Sequence, residues 1–326
     1  YDIRDYKNYW IKQDEQQNWM DTKWYDNPYF IANEIVRSSD YDLINGYLSA
    51  NYDFTPWLNL SLRSGLDSYS QKKEWRNAVS AVGGWHKQGY YGLQRLGGYS
   101  LNNDLILSAD HKFGDFNVDG FIGGNVYYWK SDNILGETQN GLKIPGYYSL
   151  KSSIDPVKTT SGITKKLVTS VYAKASVSWK STLFLDVTGR NDWSSTLAFT
   201  ERKSRGFFYP SVGLSWIIPK SFSMPSLISF GKVRASWSKV GNDIPLFVSN
   251  TVGHIAAGGI PQPNDTAPFG TLKPEMSSSF EIGTEWKFFD YRMDVDLTFY
   301  KTNTKNQLFS LPSSAGAAYK YYFVNC

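Results

Sequence analysis

The sequence predicts an all-β fold, an antiparallel transmembrane β-barrel with short periplasmic turns and long extracellular loops. Three observations predict it. Apolar residues recur at every second position through long segments, the period of a strand with one apolar and one wet face. Short and long connections alternate along the chain, the sorting found in outer-membrane barrels. Aromatic residues gather beside the tight turns, at Trp57, Phe113, Phe116, Trp179, Phe288 and Phe289, where a membrane-interface girdle sits, although aromatic strand propensity enriches such positions too.

In chain order, residues 1–40 carry Trp10, Trp19, Trp24 and Asn27-Pro28-Tyr29-Phe30 and read as the end of an extracellular loop region. Residues 41–326 read as a partial barrel. Ile44, Leu48, Ala50, Tyr52 and Phe54 alternate with Asn45, Tyr47, Ser49, Asn51 and Asp53, and Leu58, Leu60, Leu62 and Leu66 with Asn59, Ser61, Arg63 and Asp67. Val171, Ala173, Ala175, Val177 and Trp179 oppose Tyr172, Lys174, Ser176 and Ser178. Leu183, Leu185 and Val187 oppose Asp186, Thr188, Arg190 and Asp192. Phe280, Ile282 and Trp286 oppose Glu281, Glu285 and Lys287, and Met293, Val295, Leu297 and Phe299 oppose Arg292, Asp294, Asp296 and Thr298. With runs near 101–112, 116–130, 207–217 and 231–242, this gives about ten or eleven strands of roughly nine to fifteen residues, longer than usual globular strands.

Tight turns fall at Phe54-Thr55-Pro56-Trp57, Phe113-Gly114-Asp115, Lys180-Ser181-Thr182 and Phe289-Asp290, and long loops are expected at 71–99, 131–167, 195–206 and 243–276. Tyr321-Tyr322-Phe323-Val324 starts a further strand. A sheet that ended there would leave an edge that lipid does not tolerate, so the chain is expected to be part of a larger barrel.

Composition excludes other classes. The 326 residues are 41% hydrophobic, 20% charged and 17% aromatic, too aromatic for a disordered chain, and no apolar run is long enough for a spanning helix. Cys326 is the one cysteine, which rules out an intrachain disulfide and cysteine-held zinc. A net charge of +4 with scattered Lys and Arg gives no nucleic-acid footprint.

Arg190-Asn191-Asp192-Trp193-Ser194-Ser195 resembles the Arg-x-Asp-x-Ser-Ser segment of the SusC/RagA family of TonB-dependent outer-membrane transporters. The resemblance continues through Tyr209-Pro210-Ser211-Val212 with Trp216, then Lys232-Val233-Arg234-Ala235-Ser236 with Gly241-Asn242. Leu272-Lys273-Pro274-Glu275, Phe280-Glu281-Ile282-Gly283 and Arg292 with Phe299-Tyr300 follow in the family's order, and Val324-Asn325 sits where the family has Val-Asn-Ala-Gly, from which Cys326 departs. Each block is short, and their order on the expected strands is what makes them specific. Coverage is clear over 168–325 and fainter over 27–130. The resemblance implies a barrel of about 22 strands closed by an N-terminal plug, with a TonB box and a SusD-like surface lipoprotein as lid. It implies import of oligosaccharides or oligopeptides across the bacterial outer membrane, with the TonB complex acting through a segment this chain does not show. The signature residues Arg190, Asp192, Ser194, Ser195, Pro210, Ser211, Arg234, Ser236, Gly241, Asn242, Lys273, Pro274, Glu275, Glu281, Gly283 and Tyr300 are expected to be structural.

Catalytic, cofactor and metal residues are not expected. The histidines His86, His111 and His254 lie apart in the sequence and nothing pins a serine and an acid to any of them. The pairs Gly83-Gly84, Gly97-Gly98 and Gly258-Gly259 lack the Lys-Ser/Thr of a phosphate loop. The loop aromatics Trp85, Tyr90, Tyr91, Tyr99, Trp193 and Phe269 are candidates for substrate or lid contact, against the simpler reading that they hold large loops together. Two other readings stay open: a complete small outer-membrane enzyme, and a soluble β-sandwich that binds carbohydrate.

Overall fold

The structure is a computed structural model that describes residues 2–16, 25–82, 87–200, 206–249, 253–256, 259–269 and 273–326. Ten long strands make one sheet: β1 (Ile35–Thr55), β2 (Leu58–Val79), β3 (Gln88–Phe113), β4 (Phe116–Leu142), β5 (Ser153–Trp179), β6 (Leu183–Ser194), β7 (Phe207–Ile217), β8 (Ile228–Asn242), β9 (Glu275–Phe288) and β10 (Met293–Lys305). Each strand pairs with its neighbours in sequence, so the sheet is a meander with β1 and β10 at its edges. The pairs from β5 to β10 are antiparallel throughout.

The turns explain the meander. At one end of the strands the connections are a few residues long, with φ of 51° and 52° at Lys180 and Ser181, 56° at Gly114, and 55° and 56° at Phe289 and Asp290. Two consecutive left-handed residues give the turn whose twist matches that of the flanking strands. The β7–β8 connection is intermediate and starts with a 3-10 turn, Ile218–Lys220.

The structure corrects the expected loop boundaries. Residues 71–79, 88–99, 131–142 and 153–167 are strand, so β2 to β5 run to 22, 26, 27 and 27 residues. The chemistry of those segments explains the difference. Lys72, Lys73, Glu74 and Arg76, or Thr159, Thr160, Lys165 and Lys166, put polar groups on both faces. Such a strand shows no alternation, yet its backbone ladder still forms where neither face meets lipid. β1 likewise begins at Ile35, preceded by the helix Pro28–Glu34, which Asn27 caps by accepting from the Tyr29 amide. Tyr321–Asn325 is a strand as expected, paired with Leu308–Pro312 in a separate hairpin.

The chain divides into two compact units. The first comprises Tyr1–Gly46, Leu66–Ser100 and Trp129–Lys165. Its apolar centre is Phe30, Ala78 and Ala81, with Tyr9, Trp10 and Ile35 packed around them. The Asp26 carboxylate fixes this corner by accepting from the Gln16 amide at 2.7 Å and from the Val82 backbone N–H at 2.6 Å.

The second unit comprises Tyr47–Gly65, Leu101–Tyr128 and Lys166–Cys326. Here the alternating apolar face is exposed on strand after strand: Leu48, Leu62, Leu105, Leu107, Val171, Leu185, Val187, Val212, Leu214, Phe280, Ile282, Leu297 and Phe299. The buried centre of this unit is small and belongs to its connections: Leu197, Phe207, Ile244 and Val248, with Tyr209, Phe269, Leu308 and Phe323 against them. A soluble sandwich would cover its apolar faces with a second sheet, whereas the other sheets among the described residues have two strands each. An exposed apolar face of this extent is what lipid covers.

Candidate functional site: the polar face

The face opposite the apolar one carries the charged and hydroxyl side chains, and register places them in rows. Thr302, Ser279, Ser238, Ser211 and Thr188 stand directly opposite one another on five adjacent strands. Ser279 and Thr302 share a hydrogen bond of 2.8 Å, and Thr188 and Ser211 one of 2.5 Å. Nearer the tight turns the row gives way to ions. The Arg234 guanidinium reaches Asp296 at 3.1 Å and Glu281 at 3.6 Å and donates to Thr298 at 2.6 Å. Lys287 lies 3.2 Å from both Glu285 and Asp294. Gly283 is the floor on which Arg234 lies, since a Cβ there would meet the Arg234 Nε at 2.8 Å.

A second polar node joins β3, β4, β5 and β6. Arg190 donates to Asp192 at 2.7 Å and to Ser170 at 3.0 Å, and its guanidinium sits 5.4 Å from the centre of the Tyr172 ring. Tyr172 donates in turn to Asp104 at 2.9 Å, which also accepts from Asn125 at 2.9 Å. Arg190, Arg234 and Lys287 each reach a partner on a neighbouring strand, while Asp192 and Glu285 pair within their own strand.

The serines that follow Asp192 anchor the connections. Ser194 caps the 3-10 turn Ser195–Leu197 and donates to Asp243 at 2.7 Å, and Ser195 accepts from the Leu167 backbone N–H at 3.1 Å. Asp243 also takes Lys166 at 2.6 Å, the Thr196 hydroxyl at 2.5 Å and the Ile244 N–H at 2.8 Å. Sequence reasoning passes over Asp243, Lys166 and Thr196, because three residues that meet only in the folded connections have no common spacing.

The remaining signature residues find local work. Pro210 stands opposite Gly189 just past the last β7–β8 pair, Ser211 with Ser238, so its missing N–H falls where the strand is paired on one side. Ser236 is exposed and faces Glu281, and Tyr300 faces Glu281 from the other side, 73% exposed. Gly241 lets Met276 and Tyr209 approach to within 2.6 Å and 2.8 Å of where a Cβ would stand. Asn242 donates to Glu275 at 3.1 Å. Lys273 and Asn325 exchange two hydrogen bonds of 2.9 Å through the Lys273 backbone, beside the buried Pro274. These contacts tie the Lys-Pro-Glu block to the Val-Asn block.

Of the candidate loop aromatics, Tyr90 and Tyr91 are on β3 rather than in a loop. Tyr90 donates to Glu137 at 2.8 Å, and Tyr91, 6% exposed, to Glu74 at 2.8 Å. Lys72 and Arg76 approach the same Glu74 carboxylate at 3.1 Å and 2.7 Å. With roughly ten residues enough for a tilted crossing, Glu74 lies beyond the membrane part of β2. The Tyr91 hydroxyl, with Lys72 and Arg76, holds the Glu74 carboxyl down at about 2, while burial first and the facing Glu74 second push Tyr91 up to about 12. Tyr99 is also a β3 residue. Trp193 is partly buried on β6 opposite Thr169, and Phe269 packs on the buried centre of the second unit. Trp85, His86 and the His254 side chain lie outside the described residues. His111 meets Trp57 and Phe113 edge-to-face, with ring centres 6.0 Å and 4.5 Å away, next to a tight turn. Among the described residues no group of His, Cys, Asp and Glu has the arrangement of a metal site.

Comparison with known proteins gives the architecture a family. The model of the TonB-dependent receptor-like β-barrel matches residues 1–325. The chain is 23% identical to TonB-dependent receptor P3 of Formosa agariphila over 88% of its own length and 29% of that protein's. Its fold matches the structure of the RagAB peptide transporter with a TM-score of 0.80 at 16% identity, covering 92% of this chain and 34% of that one. It also matches the ferric-catecholate import receptor Fiu of E. coli K12, with a TM-score of 0.52 at 15% identity over 88% and 43%. The chain thus spans about a third of the length of the curated relative and of the RagAB transporter it matches. The sheet is part of a larger barrel, and the chain belongs to the TonB-dependent receptor-like β-barrel family of the Gram-negative outer membrane.

Proposed function

We propose that this chain is barrel wall and outer connections of a SusC-like importer that takes up oligosaccharides or oligopeptides under a SusD-like lipoprotein lid. The TonB complex would act through a plug that lies outside this chain. The observation that carries the reading is the pairing of an exposed apolar face with a polar face on which Arg234, Lys287 and Arg190 reach partners on neighbouring strands. A wall of that kind lines a hydrated route. The order of the signature blocks supports the SusC-like form over a siderophore receptor, and the fold likeness to the RagAB transporter agrees with it. The family is one of receptors and transporters, which speaks against the small outer-membrane enzyme.

The test is a deletion of the gene in its source bacterium, followed by growth on mixed oligosaccharides as carbon source and on mixed oligopeptides as nitrogen source. Loss of growth on one mixture, and a surface lipoprotein that co-purifies with the tagged receptor, are the expected results. Unchanged growth on both, with no lipoprotein recovered, would refute the importer reading.

A further inference from the structure

In the first unit, one patch of the polar face has the make-up of a ring-binding shelf. Tyr41 on β1 stacks on Tyr69 on β2, with ring centres 6.2 Å apart and planes inclined by 23°. Tyr41 lies on the edge strand and is 54% exposed in this chain. Two contacts fix Tyr69 beneath it. Its hydroxyl and that of Ser131 share a 2.9 Å hydrogen bond, and the ring lies near Gly98, where a Cβ would meet the Lys130 backbone oxygen at 2.7 Å and Tyr69 Cε1 at 2.8 Å.

The rim is polar and able to bond in both directions. Gln71, two residues from Tyr69 on the same face of β2, donates to Ser39 at 2.9 Å. Asp67, two residues away in the other direction, accepts from Ser100 at 3.3 Å and is itself exposed. A flat aromatic plane bordered by a carboxylate, an amide and hydroxyls matches a sugar ring. The C–H face of a pyranose packs on an aromatic plane, and its equatorial hydroxyls donate to a carboxylate and accept from an amide. A peptide backbone offers no such flat apolar face ringed by donors.

We propose that Tyr41 and Tyr69, with Asp67 and Gln71 at the rim, form a pyranose subsite for an uncharged oligosaccharide on the barrel wall. The proposal deepens the importer reading and rests on it. It commits that reading to glycan.

The test uses the full-length receptor purified from its native membrane, with maltohexaose, cellohexaose, laminarihexaose and xylohexaose as probes and a neutral hexapeptide as the competing ligand, read by calorimetry. At least one hexasaccharide is expected to bind. Tyr41→Ala is expected to weaken it about tenfold, the scale of one lost aromatic contact, while Tyr41→Phe stays near wild type because stacking needs only the ring. Asp67→Asn is expected to weaken binding by a smaller factor, through loss of a charged acceptor. Binding of the hexapeptide alone, binding of no hexasaccharide, or equal hexasaccharide affinity in wild type and Tyr41→Ala would each overturn the subsite. The gene-deletion experiment judges the importer reading separately, because a strain can lose peptide or glycan uptake whatever Tyr41 does.

Discussion

Glu74 and Tyr91 show how a single residue's role follows from its partners. With its folded pKa held down at about 2, Glu74 stabilises the folded state above the usual carboxylate pKa, and that contribution is lost as pH falls through the range from about 4.5 toward 2. Tyr91→Phe removes the largest cause of the depression, so the acid loss of thermal stability is expected to start at the same pH but to be smaller and complete at a higher pH than in wild type. Melting curves of the detergent-solubilised receptor across that range check it, and identical acid profiles would show that Tyr91 does not set the Glu74 pKa. Asp243 offers a second case. It receives Lys166, Ser194, Thr196 and the Ile244 N–H, so Asp243→Ala strands a lysine and two hydroxyls at once. The expected cost is roughly 2–4 kcal/mol, visible as faster proteolysis of the segments around 195 and 244. A protease pattern like that of wild type would count against the node. The serines at 194 and 195 are legible in the sequence as a motif, but their acceptor is not, because Asp243 lies far along the chain and comes to them only through the connections.

At the scale of the element, alternation reports lipid rather than strand. Leu183, Leu185 and Val187 announce β6 because one face must be apolar. Residues 88–99 form just as regular a strand with Tyr91, Arg95 and Gly97 on the corresponding side, and the pattern there is silent. The strand count and the tight turns were therefore legible, while the outer halves of β2 to β5 were not. The turns carry a prediction of their own. Lys180 and Ser181 both hold φ near +50°, a conformation that a side chain with a Cβ adopts at some cost. Replacing the pair with Asn-Gly keeps the turn and removes that strain, and is expected to stabilise the β5–β6 hairpin by about 0.5–1 kcal/mol. A raised melting temperature of the receptor checks it; a lowered one would mean that Lys180, 3.5 Å from Asp115, contributes more than the turn conformation costs.

For the whole molecule, the decisive question is which face meets lipid, since the same alternation describes a soluble barrel turned inside out. Register sorts the residues into an apolar and a polar face, and membership of an outer-membrane barrel family puts the apolar one against lipid. Leu214 on β7 is 51% exposed and stands opposite Leu185 and Ala235, in a row with no polar neighbour. Ser236, one residue along from Ala235 on β8, is exposed on the other face and looks at Glu281. An arginine at Leu214 would sit in hydrocarbon with nothing to pair with, at a cost of about 2–4 kcal/mol near the bilayer midplane. An arginine at Ser236 would sit in a hydrated lumen within reach of a carboxylate that now shares Arg234, and is expected to cost little. Leu214→Arg should therefore reduce the amount of heat-modifiable barrel recovered from the outer membrane, and Ser236→Arg should leave it near wild type. The size of the substituent is the same in both, so bulk cannot explain a difference. If the two variants assembled equally well, or if Ser236→Arg were the one lost, the apolar face would not be the lipid face, and the route argued for the opposite face would have no wall.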